Sequence, residues 1–363
     1  MHSRSYHFSY LAAISIVLSP ALSLLAISDA LAYAPTINAR RTQASDSLRD
    51  SFASLAQARD PKTQADELFE TGVKQHREGL FREAIETFEQ VLAIRKQLGD
   101  QAGIGETLNN MGEAYGEMGL RPEALEVLRQ ALVIHREISG GRRIARTLNL
   151  IGFVNRIGDN FSEAMKLHQE ALELAKTTDD QIEIGESLHN IAAVYAEQVD
   201  YAKAIEFYQQ ARTIRTATGD RRDLGRTLNN MGGVYYNIGD FNRAMEFYHQ
   251  ALAIRREIGD RAGVGRLLNN MALTSRKLGK DTQALIYFQQ AIPMLESIGD
   301  KTSIGRLLNN MGAIHESLGQ NAQALESYEE ALKIAREGGD KAGETTAMEG
   351  IKRLSSSQLV PQQ

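Results

Sequence analysis

The side chains in this sequence with the most chemistry to offer are amides and guanidiniums, and they return at a fixed interval. Asn110, Asn190, Asn230, Asn270 and Asn310 are separated by 40 residues or a multiple of it. A second column runs one residue earlier through Asn109, Asn149, Asn229, Asn269 and Asn309, with His189 standing between Asn149 and Asn229. A third column carries charge: Asp66, Glu106 and Glu186 on the acidic side, Arg146, Arg226, Arg266 and Arg306 on the basic side. An amide offers an acceptor and two donors, so it can pair with both the C=O and the N–H of an extended backbone without reading its side chains. Arginine takes a carboxylate through a planar two-pronged contact. This is chemistry of recognition, not of bond making.

Nothing else in the chain points to catalysis. The eight histidines, at 2, 7, 76, 135, 168, 189, 249 and 315, form no HExxH and no metal-ligand spacing. Neither GxGxxG nor GxxxxGK[ST] occurs, and there is no cysteine. The expectation is a chain that is not an enzyme and uses no cofactor and no metal. A formal net charge of −5 argues against a general nucleic-acid binder. Hydrophobic residues at 42% and charged residues at 24% fit a soluble globular chain of 363 residues.

The elements that must position these columns follow from the repeat. Gly219–Met231, Gly259–Met271 and Gly299–Met311 are close copies, and looser ones begin at Gly99, Ser139 and Asp179. Self-similarity at one period marks a repeat array. Each unit reads as two amphipathic helices, A and B. In one unit Leu268, Met271, Ala272 and Ser275 share a face of helix A, while Ala284, Phe288 and Ala291 share a face of helix B. Gly259, Gly279 and Gly299 suit left-handed helix ends, and Asp260 and Asp300 suit the caps that follow. Small residues recur where the two helices must approach, first at Gly72, Gly112, Gly152, Ala192, Gly232, Ala272 and Gly312. Two further small columns run from Ala84 to Ala324 and from Val91 to Ala331. The prediction is an all-α solenoid of seven hairpins over 63–340, a capping helix over 341–355 and a disordered tail over 356–363. In the third unit Gly158 comes one residue early, which predicts an altered turn.

The N-terminus has a different plan. Arg4 precedes an uncharged apolar run, Leu11–Ile27, and Ala30-Leu31-Ala32 has the spacing of a signal-peptidase site. Residues 1–32 are expected to be a signal peptide cut after Ala32, giving an exported, periplasmic or extracellular protein; the alternative is an uncleaved membrane anchor. Residues 33–62 read as a linker, in which the stretch around Leu48, Phe52 and Leu55 is either a short capping helix or disordered, and Asp60-Pro61 as the start of the array.

Gly232, Tyr235, Gly239, Ala244, Tyr248 and Ala251 carry a resemblance to the tetratricopeptide repeat, a helix–turn–helix unit. The 40-residue form is similar to arrays of the LGN/Pins and kinesin-light-chain type, and to bacterial arrays associated with CHAT proteases, whose protease domain has no counterpart in the sequence. The resemblance implies that the first and third columns face a concave groove. There Asn110, Asn190, Asn230, Asn270 and Asn310 would hold an extended backbone. Arg146, Arg226, Arg266, Arg306 and Arg276 would take its carboxylates. Glu113, Glu117 and Glu197 would add to an acidic first half of the groove, and Lys277 to a basic second half. The asparagines have a structural alternative, bonds between neighbouring helices, and the arginines have another, pairs with Glu on adjacent helices. The implied function is an adaptor for an acidic protein or peptide segment. The alternatives are an envelope assembly scaffold and a regulatory partner of a separate CHAT-type protease.

Overall fold

The structure, a computed structural model, describes residues 60–138 and 140–358. The expected signal peptide, most of the expected linker and the last residues of the expected tail lie outside the described residues. Fifteen helices follow one another, and among the described residues there is no strand. The A and B helices of the successive hairpins are α1 (Pro61–Arg77) and α2 (Phe81–Leu98), α3 (Gln101–Glu117) and α4 (Arg121–Glu137), and α5 (Gly141–Arg156) and α6 (Phe161–Thr177). Next come α7 (Gln181–Glu197) and α8 (Tyr201–Thr218), then α9 (Arg221–Ile238) and α10 (Phe241–Glu257). The array closes with α11 (Arg261–Lys277) and α12 (Asp281–Glu296), α13 (Lys301–Ser317) and α14 (Asn321–Gly338), and the unpaired α15 (Lys341–Gln358). No helix among the described residues is long and apolar enough to cross a membrane.

The helix ends follow from local chemistry. Asp100, Asp180, Asp220, Asp260 and Asp300 each accept a hydrogen bond from the amide three residues on, which satisfies one of the unpaired donors of the helix they start. Gly259, Gly279 and Gly299 end helices with φ of 70, 70 and 71°. The third hairpin keeps the same turn despite the displaced glycine. Asp159 itself takes the left-handed conformation at φ 60°, which Asp tolerates better than most side chains, so the altered turn expected there does not occur.

Val199 stands at the same place in the fourth hairpin with φ 63° and is 65% exposed. A β-branched side chain is strained there and packs on nothing that repays it. Val199→Gly is expected to stabilise the protein by about 0.5–1.5 kcal/mol, read from a thermal melt. A lowered midpoint would mean that the valine contributes packing.

The small columns do what their spacing predicts. A Cβ on Gly232 would lie 2.5 Å from the Tyr248 ring, and one on Gly112 would lie 2.4 Å from Leu128, so these A helices seat directly on the large residue of their B helix. Ala84, Ala124, Ala164, Ala204, Ala244, Ala284 and Ala324 are fully buried. From α3 onward each A helix packs on its own B helix and on the B helix before it. Consecutive A helices also touch (α3 on α5, α5 on α7, α7 on α9, α9 on α11, α13 on α15), whereas no two consecutive B helices pack comparably. The A side is therefore the shorter arc and lines the concave face. α15 covers the last hairpin, held by Arg353, whose guanidinium donates to Glu316 at 3.0 Å and to the Tyr328 hydroxyl at 3.2 Å.

Candidate functional site

The columns read from the sequence separate into residues that hold the seams and residues left for something else. The second column bridges hairpins. Asn109 Oδ1 accepts from the Thr147 hydroxyl at 3.0 Å, Asn149 Nδ2 donates to Ser187 at 2.9 Å, and His189 Nδ1 meets the Thr227 hydroxyl at 3.2 Å. Each partner lies 38 residues on. That partner position holds Thr147, Ser187 and Thr227 in the early seams, but Leu267, Leu307 and Ala347 in the later ones. At this position the first seams are thus polar and the last ones apolar, although Asn309 Nδ2 still bridges the last seam by donating to the Gly343 carbonyl at 3.1 Å.

A fourth column, on the B helices, explains the acidic residues. Arg95, His135, Ala175, Arg215, Arg255, Leu295 and Ala335 share one register and point into the hairpin seam. Arg95 and Arg215 are buried at 5% and 3% exposure, so each guanidinium requires an anion. Arg95 donates to Asp66 at 3.3 Å and to the Gly103 carbonyl at 2.8 Å. Arg215 donates to Glu186 at 2.5 Å and to the Asp223 carbonyl at 3.0 Å. Glu106, beside His135, pairs with Arg143 at 3.3 Å. The expected acidic half of the groove is corrected accordingly. Asp66, Glu106 and Glu186 are neutralised by neighbouring guanidiniums, and Glu197 pairs with Arg156. Of the negative charges expected there, Glu113 and Glu117 remain without an ion pair among the described residues.

The basic members divide the same way. Arg226 is spent: it pairs with Glu186 and, at 3.1 Å, with Asp223. Arg146, Arg266 and Arg306 are exposed and stand opposite Ala175, Leu295 and Ala335, which ask for no anion. Arg306 reaches Asp340 at 3.6 Å, while Arg146, Arg266 and Arg276 have no ion pair among the described residues. The concave face brings distant charges within reach of one another. Burial pushes the Glu117 carboxyl up, Glu113 pushes it further, and His76, Arg266 and Arg226 pull it back, the two arginines from four and three hairpins away.

The first column is only partly solvent-facing. Asn110 is buried and donates to the Glu106 carbonyl at 2.9 Å, and Asn190 is buried and donates to Glu186 at 3.1 Å. A side chain packed against its own helix cannot also span a ligand backbone, so the expectation of a continuous solvent-facing ladder is corrected at these two positions. Asn230 and Asn270 are half-buried and reach back one hairpin, to His189 at 3.3 Å and to Asn229 at 3.2 Å. Asn310 is half-buried and makes no side-chain hydrogen bond among the described residues. Uncommitted polar groups on α11 and α13 are therefore Arg266, Arg276 and Asn310, next to Asn270 and Arg306, each of which keeps one partner.

Sequence profiles described as tetratricopeptide repeat match residues 72–137, 103–177, 143–217 and 223–297, and a second such profile matches 305–337. No curated protein sequence matches the chain. Solved structures share the fold. A Rap protein complexed with Competence and Sporulation Factor is 17% identical with a TM-score of 0.59, over 80% of this chain and 80% of that one. Aspartyl phosphate phosphatase F from Bacillus subtilis is 18% identical with a TM-score of 0.55, over 86% and 80%. The apo quorum sensor NprR from B. thuringiensis is 15% identical with a TM-score of 0.50, over 87% and 94%. One of these carries an enzyme's name, so the shared fold does not by itself decide between catalysis and binding.

Proposed function

Because the chain belongs to the tetratricopeptide repeat family, with profiles covering most of its length, we propose that it is a non-enzymatic adaptor that holds an extended acidic protein segment against the A helices of its last hairpins. One observation carries this reading: Arg266 and Arg276 are exposed without an ion pair, in an array whose seams neutralise most other guanidiniums. A fold that pairs the seam guanidiniums Arg95, Arg215, Arg226 and Arg255 and leaves these two, like Arg146, in solvent has them available for an outside anion. Asn270 and Asn310 lie one helical turn from Arg266 and Arg306, and their side-chain amides, of which Asn270 Nδ2 also donates to Asn229, offer partners to a peptide backbone. Support of a general kind comes from the Rap protein of the same fold, which was solved in complex with a factor.

Titration of a labelled glutamate-rich peptide tests the proposal. Against the wild type, Arg266→Gln/Arg276→Gln/Arg306→Gln is expected to bind about tenfold or more weakly at low salt. Its affinity should also vary less between about 50 and 300 mM salt. Asn270→Ala/Asn310→Ala is expected to weaken binding while leaving the salt dependence as it is. An arginine variant that matches the wild type in both respects contradicts the reading.

A further inference from the structure

The groove side of α5 breaks the pattern of the other A helices. Its accessible face carries Arg146, Leu150, Phe153 and Ile157, at i, i+4, i+7 and i+11. Leu150 stands in the first column, where the hairpins on either side have Asn110 and Asn190. Phe153 stands where they have Glu113 and Ala193, and Ile157 where they have Glu117 and Glu197. No other A helix is apolar at all three places. The core face of α5 is supplied by Leu148, Ile151 and Val154, all buried, so the stripe is not needed to seat the helix. Leu150 and Phe153 are half-buried and Ile157 is 37% exposed.

Charge frames the stripe with opposite signs on its two sides. Arg146, one turn before Leu150, is exposed and has no ion pair among the described residues. The other side is α3. The Phe153 ring lies against Gly116, where an added Cβ would stand 3.5 Å from it, and Gly116 is set between Glu113 and Glu117. Both carboxylates lack an ion pair among the described residues. Glu197 of α7, the remaining neighbour, is paired with Arg156, whose guanidinium lies 5.3 Å from the centre of the Phe153 ring. A contiguous apolar patch with a polar rim marks a contact surface. The rim sets the charge of what covers it, negative toward Arg146 and positive toward α3.

We propose that Leu150, Phe153 and Ile157 seat a bulky apolar side chain from a partner protein's segment whose charge changes sign across that residue. Its carboxylate side meets Arg146, and its lysine or arginine side meets Glu113 and Glu117. The apolar contact supplies the affinity and the two charged flanks fix the direction in which the segment lies. The inference rests on the reading of the concave face as the ligand side. It deepens that reading by giving the acidic segment an apolar anchor and a basic end, and it uses none of the arginines of α11 and α13.

The test titrates three labelled peptides, each made in both sequence directions, against the full chain. The first has a central Phe between glutamates and lysines, the second has Ala for the Phe, and the third has Gln for the lysines. In the better direction the Phe peptide should bind the wild type about tenfold more tightly than the Ala peptide. Leu150→Asn/Ile157→Glu should abolish that preference. It restores the residue types that α3 and α7 carry at these places, so its folding is expected to be intact. The Gln peptide should bind about threefold more weakly than its lysine parent, and Glu113→Gln/Glu117→Gln should remove that difference. Equal binding of the Phe and Ala peptides, a preference unchanged in Leu150→Asn/Ile157→Glu, or equal binding of the lysine and Gln peptides overturns the proposal. So does N-acetyl-phenylalaninamide binding as tightly as the Phe peptide, which would make this a small-molecule site. Concentration-dependent self-association lost in Leu150→Asn/Ile157→Glu overturns it by assigning the stripe to a second copy. A Phe preference seen only after removal of residues 33–59 overturns it by assigning the stripe to the chain's own N-terminal segment. Repeating the titrations in Arg266→Gln/Arg276→Gln/Arg306→Gln separates the two readings. A Phe preference kept there, with glutamate-rich peptide binding undiminished, upholds the stripe and refutes the role of those arginines. Loss of glutamate-rich peptide binding there, with no Phe preference in the wild type, refutes the stripe alone.

Discussion

Replacing Glu186 with Gln is expected to cost the array about 2–4 kcal/mol, because it leaves buried guanidinium charge without its anion. Arg215 and Arg226 both donate to the same oxygen of Glu186, one from the seam within the fourth hairpin and one from the next hairpin. The amide keeps the shape and an acceptor but not the charge, so the buried Arg215 loses its carboxylate partner while Arg226 keeps only Asp223. Glu106→Gln makes the contrast. Its pair with Arg143 has side chains 40% and 42% exposed, and its loss should stay within about 0.5 kcal/mol. The pH dependence carries its own sign. Burial alone would raise the Glu186 carboxyl; Arg226 and Arg215 overcome that and hold it well below the usual carboxylate range. Its contribution is therefore complete above that range and lost as pH falls through the depressed value, so the gap between wild type and Glu186→Gln should close in acid. Urea unfolding at several pH values reads this. A constant gap would show that the loss is one of packing and not of charge.

The opposite result is expected at Glu183, three residues earlier on the same helix. Burial first, and Glu186 second, push its carboxyl up to about 7. Between pH 4.5 and about 7 the folded chain keeps a proton that the unfolded chain gives up, so this residue subtracts stability as pH rises through that window. Glu183→Gln should therefore be more stable than the wild type by about 1–3 kcal/mol at pH 8 and nearly equal to it at pH 4. The amide can still accept from Asn149 Nδ2, which donates to Glu183 at 3.3 Å. Thermal melts at the two pH values check it. A variant less stable than the wild type at pH 8 would mean that the carboxylate is charged in the fold and needed there.

How the fold could be read from sequence is clear from particular residues. The glycine and alanine columns are legible because a helix hairpin has one place where only a small side chain fits, as Gly232 under Tyr248 shows. The turns are legible from Gly and Asp, since few residues take a left-handed φ or cap an amide. What the sequence concealed was which charges are already used. Asp66 and Glu186 look like groove residues on their own helix. Their partners, Arg95 and Arg215, lie 29 residues on, at the end of the following helix, where a basic residue is easily put down to the helix dipole. Set beside the third column, the fourth shows the rule. Acid stands opposite Arg95, His135 and Arg215, and arginine opposite Ala175, Leu295 and Ala335; Arg226 opposite Arg255 is the exception, and there Asp260 supplies the anion of Arg255. The burial of Asn110 and Asn190 was not legible, because an asparagine facing a groove and one folded back on its own helix occupy the same register.

The claim that the concave face of α11 and α13 holds an acidic segment is tested most directly by photocrosslinking. A glutamate-rich peptide carrying a central photoreactive group is bound to the full chain, irradiated and mapped by mass spectrometry. The account predicts crosslinks on α11 and α13 around Arg266, Asn270, Arg306 and Asn310, displaced by unlabelled peptide and absent in Arg266→Gln/Arg276→Gln/Arg306→Gln. Displaceable crosslinks confined to the B helices, or persisting undiminished in that variant, would contradict it.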